Sequence, residues 1–209
     1  MTSSMSTWLS YRPSDFLLFS AQTYHRLFEL YNLELWPAQV VAAALALVLI
    51  WLVSKGPAAA GRVACVLLAA CWFWVAWAFH LQRYATINWA ATWFAAGFAA
   101  QGVLLALAAG IEWQKARGAR HGLGLALLGF AVFVEPWLGL ALRGRSWTEA
   151  ELFAMTPDPT AVGTIGLLLT LRPASAGSSI VWPSRLLWPI PLLWCVVAAL
   201  TQWTLATQG

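Results

Sequence analysis

Charge is what this chain has least of. Only 10% of its 209 residues are Asp, Glu, Lys or Arg, against about a quarter in an average soluble protein. That deficit rules out an ordinary solvated globular domain. The net charge of +4 is no argument for nucleic acid, because basic residues of membrane proteins sit in loops as topology signals. Cysteine is scarce too. Cys65, Cys71 and Cys195 all lie in apolar runs, with no CxxC or CxxxH pair, so neither a zinc site nor a thiol relay is signalled. Cys65 and Cys71 are six apart and fall on different faces of a helix, which argues against disulfide chemistry and for packing. The motifs GxSxG, HExxH, Walker A and GxGxxG are all missing, so no enzyme and no cofactor is read here. No repeat of fixed period and no low-complexity tail appears.

What remains is apolar: 61% of the residues are hydrophobic. Continuous runs approach or exceed the ~18–20 residues that cross ~30 Å of hydrocarbon. The fold class is an all-α integral membrane protein. We expect a six-helix transmembrane bundle over residues 36–209, preceded by a polar N-terminus and an amphipathic interfacial helix in 1–35. The spans are about 36–53, 63–81, 89–111, 122–142, 160–171 and 186–206. The first is read as an uncleaved span, since it begins at Trp36, far from Met1.

Ser14 is the expected cap of the N-terminal helix, which runs to about Leu33. Phe16, Phe19, Thr23, Leu27, Leu30 and Tyr31 form its apolar stripe. Asp15, His25, Arg26, Glu29 and Glu34 are too many charges for a crossing, so the helix lies at the interface or folds as a cap over the bundle. The fifth span is irregular. Twelve residues from Thr160 to Leu171 reach only about 18 Å. Upstream, Ser146-x-x-Glu149 has the form of a capping box and predicts a short helix from Trp147 to about Met155. Pro157-Asp158-Pro159 should then break it. Two short helices around a break are how discontinuous transporter helices are written; an interfacial helix followed by a short tilted span is the plainer alternative.

Lys55, Arg62, Lys115, Arg117, Arg120, Arg172 and Arg185 fall in loops on one side, against Arg12, Arg26, Arg83, Arg143 and Arg145 on the other. The excess places loops 1, 3 and 5 in the cytoplasm and both termini outside it. The span count then gathers the unusual polar residues into one membrane half.

Glu135 is the most informative of them. An ionisable group within a span costs about 2.5–3.5 kcal/mol and faces the bundle or water. It is read as a proton carrier, as a residue wet at the interface, or as one paired with Arg143; Pro136 beside it frees a backbone carbonyl and is expected to kink the span. His80 shares a helical face with Trp77 and Tyr84 if span 2 continues helically; it shuttles protons or binds metal, or anchors a span end. Arg83 snorkels, or pairs with Glu135 or Asp158. Asn88 caps span 3. Gln101 hydrogen-bonds a neighbouring helix, beside Phe94 and Phe98, while Ala91, Ala95 and Ala99 allow close helix approach. Asp158 caps the following half-helix or faces a cavity as a cation ligand. Candidate substrate-binding residues are therefore His80, Arg83, Tyr84, Asn88, Gln101, Glu135 and Asp158. Of the fifteen Trp, Trp36, Trp51, Trp89, Trp113, Trp137, Trp188 and Trp203 belong to the interfacial belt, and Trp72, Trp74 and Trp77 sit deeper.

Several landmarks carry a resemblance: Tyr31-Asn32, Trp36-Pro37-Ala38-Gln39, Trp77 with His80, Ile87-Asn88, Gln101-Gly102, Pro157-Asp158-Pro159-Thr160 leading to Gly166-Leu167-Leu168, and Pro189-Ile190-Pro191-Leu192-Leu193-Trp194. In that order they resemble a family of bacterial multi-pass inner-membrane proteins of unknown function, loosely labelled permeases. The resemblance implies topology and a bacterial inner membrane, and no activity. Asp158 stands where such relatives are expected to carry a cysteine, which argues against a metal–thiolate role. Two functions stay open. One is a small permease with a polar cavity in the outer membrane half. The other is a non-transporting scaffold, sensor or accessory subunit. Expected partners are the lipid bilayer, a small solute or ion, and either a homo-oligomer or a partner membrane subunit.

Overall fold

The computed structural model describes residues 19–57, 59–174 and 184–207, and of Arg143 the backbone alone. The expected cap at Ser14 therefore lies outside the described residues. Ser20 caps helix α1 (Ala21–Glu34) instead, its side chain accepting from the Thr23 N–H. Tyr24, Leu27, Phe28, Tyr31 and Asn32 are the buried positions of α1, a stripe spaced by three and four. Leu30 is 47% exposed and Thr23 is exposed too, so the stripe is rotated from the expected one. It packs on protein: Phe28 and Tyr31 meet Phe79 at 5.2 and 5.6 Å between ring centroids. Tyr31 Oη donates to the Met155 carbonyl at 2.9 Å and accepts from Trp74 Nε1 at 3.2 Å. Burial raises the Tyr31 phenol well above its ordinary pKa, so the hydroxyl stays protonated and keeps both bonds.

Among the described residues, four helices are long and apolar enough to cross a membrane: α2 (Ala38–Lys55), the continuous Ala60–Thr86 segment that begins with α3 (Ala60–Trp74), α4 (Ala91–Ala108), and a C-terminal helix (Pro189–Ala206). Helices α5 (Gly118–Phe133) and α6 (Glu135–Arg143) pass the same test jointly, but are bent by 55°. Pro136 explains the bend, since it lacks an N–H and clashes with the preceding turn. The outer faces of these helices carry exposed Val40, Val41, Leu47, Leu193, Val196 and Leu200. So continuous an apolar surface suits lipid and not water.

Helix α3 does not end at Trp74. It continues as a π-helical segment, Val75–Leu81, with Gln82 N–H bonded to the Trp77 carbonyl at 3.1 Å. The wider turn changes which side chains share a face. Trp77 is 54% exposed, while His80 and Tyr84 are buried; the shared Trp77–His80–Tyr84 face expected from α-helical spacing is lost.

Loops 1, 3 and 5 meet at one end. Strand β1 (Trp113–Lys115) pairs antiparallel with β2 (Leu171–Pro173), Gln114 opposite Arg172. Lys115 Nζ donates to the Ser54 carbonyl at 2.7 Å, and Arg62 pairs with Glu112 at 3.3 Å. Trp113, expected in the interfacial belt, is buried instead and donates to the Ala108 carbonyl.

The expected fifth span is helix α7 (Pro157–Thr170), 14 residues long, or about 21 Å. It does not reach across by length, so among the described residues the spans number four, or five if the bent pair is one span, and not the expected six. Two further expectations fail here. Trp147–Glu149 is a single 3-10 turn followed by extended Ala150. Ser146 accepts from the Thr148 N–H, while the Glu149 carboxylate goes to Arg145; with no reciprocal bond the predicted helix to Met155 does not propagate. Nor does Pro157-Asp158-Pro159 break a helix. It opens one, because two of its three residues have no N–H to leave unsatisfied in the first turn. The remaining helix is α8 (Pro189–Ala206).

Helix α7 sits deep because α5 approaches it at backbone distance. A Cβ on Gly124 would lie 2.6 Å from the Gly166 carbonyl oxygen, and one on Gly166 would lie 2.6 Å from the Leu128 nitrogen. Gly166→Leu therefore forces the helices apart, a cost of about 1–3 kcal/mol or more. Its melting temperature in detergent should fall well below that of Gly97→Ala, where nothing lies within 4 Å of the added Cβ.

Candidate functional site

The site grows from the bend. Glu135 opens α6, placed there by the break at Pro136. Helix α6 then ends at Gly144, whose left-handed φ of 62° a residue with a Cβ rarely adopts. The turn closes with Gly144 N–H to Leu140 O and Arg145 N–H to Gly139 O, a Schellman-type cap. It sends Arg145 back along α6, where its guanidinium lies against Gly139. Arg145 then bonds Glu149 at 3.2 Å and Glu151 at 3.3 Å, and sits 5.9 Å from the Phe28 ring centroid. From the other side, α7 presents Asp158 in its first turn. Asp158 Oδ1 accepts from Trp194 Nε1 of α8 at 2.8 Å. Glu135, Arg145, Glu151, Asp158 and Gln202 line one cavity of about 230 Å³.

The acids of the chain divide into two groups. Of the eight, Asp15 lies outside the described residues. Glu29, Glu34, Glu112, Glu149 and Glu151 each pair with an arginine. Among the described residues, Glu135 and Asp158 alone make no ion pair, and both line the cavity. Glu135 Oε2 is buried with no hydrogen-bond partner among those residues. The pairing expected with Arg143 involves a side chain outside the described set.

Other candidates lie elsewhere. Arg83 pairs with Glu34 at 2.6 Å, not with Glu135 or Asp158, and lines a separate groove with Gln22 and Arg26. Asn88 Oδ1 accepts from the Ala90 N–H at 3.0 Å, at the entry to α4. Gln101 is fully buried and donates to the Leu187 carbonyl at 3.0 Å, holding the chain before α8 against α4. Tyr84 belongs to the aromatic cluster with Tyr24 and Phe79. His80 is fully buried among Phe98, Trp194 and Phe79, at 4.5, 5.1 and 5.4 Å between ring centroids. Neither ring nitrogen finds a partner among the described residues. It stands one ring behind Asp158, with Trp194 between them.

Arg145, Glu151, Trp194 and Gln202 were not among the candidate residues of the sequence. Arg145 was legible only as a loop cation. The signal for it is density: Arg145, Glu149 and Glu151 put three charges within seven residues of a chain with few. Nothing in sequence places Trp194 beside Asp158.

Apolar helices around a carboxylate-lined cavity at a bent helix pair define a helical protein of membrane-spanning composition with a candidate polar site. The chain belongs to the family of unknown function DUF6064, whose model matches residues 21–206. No curated protein and no solved structure matches it.

The Arg145 side chain is only 10% exposed and its partners 19% and 11%. Removing it takes the shared cation away from two largely buried carboxylates, a loss of about 3–5 kcal/mol. Arg145→Met should therefore melt far below wild type, and the triple change with Glu149→Gln and Glu151→Gln should recover most of the difference.

Proposed function

We propose that the chain is a small permease of the bacterial inner membrane that admits protons or small cations to the Glu135–Asp158 cavity. The observation that carries this reading is that Glu135 and Asp158, which make no ion pair among the described residues, line one cavity at the bend of α5 and α6. Carboxylates kept in such a place are costly and mark pathways or relays. Neutralising them takes a proton or a small cation. The pairing of Arg145 with Glu149 and Glu151 favours a cationic over an anionic cargo, since the arginine that lines the cavity among the described residues is already engaged. The gathering of the basic loops 1, 3 and 5 at one end supports both termini lying outside the cytoplasm, with the cavity in the outer half. A non-transporting scaffold, sensor or accessory subunit is the second reading, favoured by a Trp-lined groove beside α1.

The purified chain is reconstituted in liposomes, and gradients of protons, sodium, potassium and methylammonium are imposed in turn. One of these should move faster than in empty vesicles. Glu135→Gln should lower that flux about tenfold or more. Glu112→Gln, whose side chain is 78% exposed at the opposite end, should leave it unchanged. Equal flux in wild type and Glu135→Gln, or none above empty vesicles for any of the four, overturns the permease reading and leaves the second.

A further inference from the structure

A second and larger cavity, about 540 Å³, opens between the end of α1, the start of α2 and the start of α6. That volume lies within the ~300–1,000 Å³ of small-ligand sites. Its walls are Leu33, Trp36, Trp137, Trp147 and Leu152, and among the described residues no Asp, Glu, Lys or Arg lines it. Trp36, Trp137 and Trp147 are 68%, 54% and 71% exposed. Two amides lie at its inner end. Asn32, only 9% exposed, uses Nδ2 twice, to the Thr148 carbonyl at 2.8 Å and the Ala150 carbonyl at 2.9 Å. Gln39 uses Nε2 on the Asn32 carbonyl at 2.6 Å.

All three partners are carbonyl oxygens, so the NH₂ end of each amide must face them. That fixes the other ends. Asn32 Oδ1 and Gln39 Oε1 are buried acceptors with no donor among the described residues. A buried polar atom without a partner is uncommon and calls for one. The missing groups are donors, and the walls that surround them are apolar and aromatic.

We propose that this groove binds one membrane lipid whose headgroup carries a primary ammonium: an ethanolamine phospholipid. Three N–H donors on the ammonium meet the two amide oxygens, the indole faces attract its charge, and the acyl chain lies along Leu33, Trp137 and Leu152. The lining has no cation, so an anionic headgroup gains nothing. A choline headgroup keeps the charge but has no N–H to give.

This site is independent of the permease reading, and the experiment keeps the two apart. Native mass spectrometry of the detergent-solubilised full chain is run against phosphatidylethanolamine and its N-methyl, N,N-dimethyl and trimethyl (choline) forms with identical acyl chains. Affinity should hold while two N–H groups remain. It should then fall, by about tenfold or more between the N-methyl and choline forms, as expected for losing hydrogen bonds from a charged donor. Gln39→Met should flatten the series. Trp147→Ala, a change on the exposed rim, should weaken every member, and Glu135→Gln should leave the series as in wild type. Equal binding of all four lipids, or a preference for the choline form, overturns the proposal. So does an unflattened series in Gln39→Met.

Discussion

The backbone contact between Gly124 and Gly166 is the constraint on which the rest depends. Apolar side chains gain nothing from leaving lipid for another apolar surface, so helices in a bilayer associate through close packing and hydrogen bonds. Without a Cβ on either side, α5 and α7 come near enough for backbone atoms to touch. Helix α7 is too short to be held by spanning. It is held by this contact, by Trp72 Nε1 donating to Thr164 Oγ1 at 2.8 Å, and by its own threonines. Thr160 and Thr164 return their hydroxyls to carbonyls one turn back at 2.7 and 2.6 Å. The fully buried Thr156, Thr160, Thr164 and Thr170 each donate the hydroxyl to a backbone carbonyl three or four residues back. Thr160 does more, since its Oγ1 also accepts the N–H of Ala154, whose φ of 66° is strained for a residue with a Cβ.

That strained turn links the deep helix to the cap. Ala154 precedes Met155, whose carbonyl receives the Tyr31 hydroxyl. Asn32 holds the carbonyls of Thr148 and Ala150 in the same segment. Helix α1 is thereby fastened to the 148–155 stretch by three hydrogen bonds, and Arg145 is fixed by its glutamates just upstream. The cavity and the groove lie on either side of Pro136, so a movement of α6 would alter both.

The membrane-spanning character was legible because it follows from composition and run length alone. The bend at Glu135-Pro136, the shortness of α7 and the packing role of Gln101 were legible because each rests on one local rule: a missing N–H, a rise per residue, an amide in an apolar run. What was not legible depended on partners far along the chain. The π-helical segment at Val75–Leu81 is invisible in side-chain spacing, so the face assigned to Trp77, His80 and Tyr84 was wrong. The Ser146 capping pattern was real as far as Thr148, but Glu149 had a stronger partner in Arg145. The pairing of β1 with β2 joins residues Trp113 and Pro173 across sixty positions, with no strand pattern longer than three residues to announce it.

The cost of Glu135 decides how the cavity should be read. Placing a carboxylate within a span costs about 2.5–3.5 kcal/mol on insertion scales. Stability is served by pairing such a group, and this chain does so at Glu149 and Glu151 with a single arginine. The same arginine lines the cavity with Glu135 and Asp158, yet ion-pairs with neither among the described residues. Asp158 has a neutral donor, Trp194, which eases its burial without cancelling its charge. A hydrophobic residue at 135 would pack against Leu138 and Leu142 at no such cost. The bend needs only Pro136. Among the described residues nothing in the fold accounts for Glu135, and that residue, more than the cavity's shape, makes the cavity a candidate site.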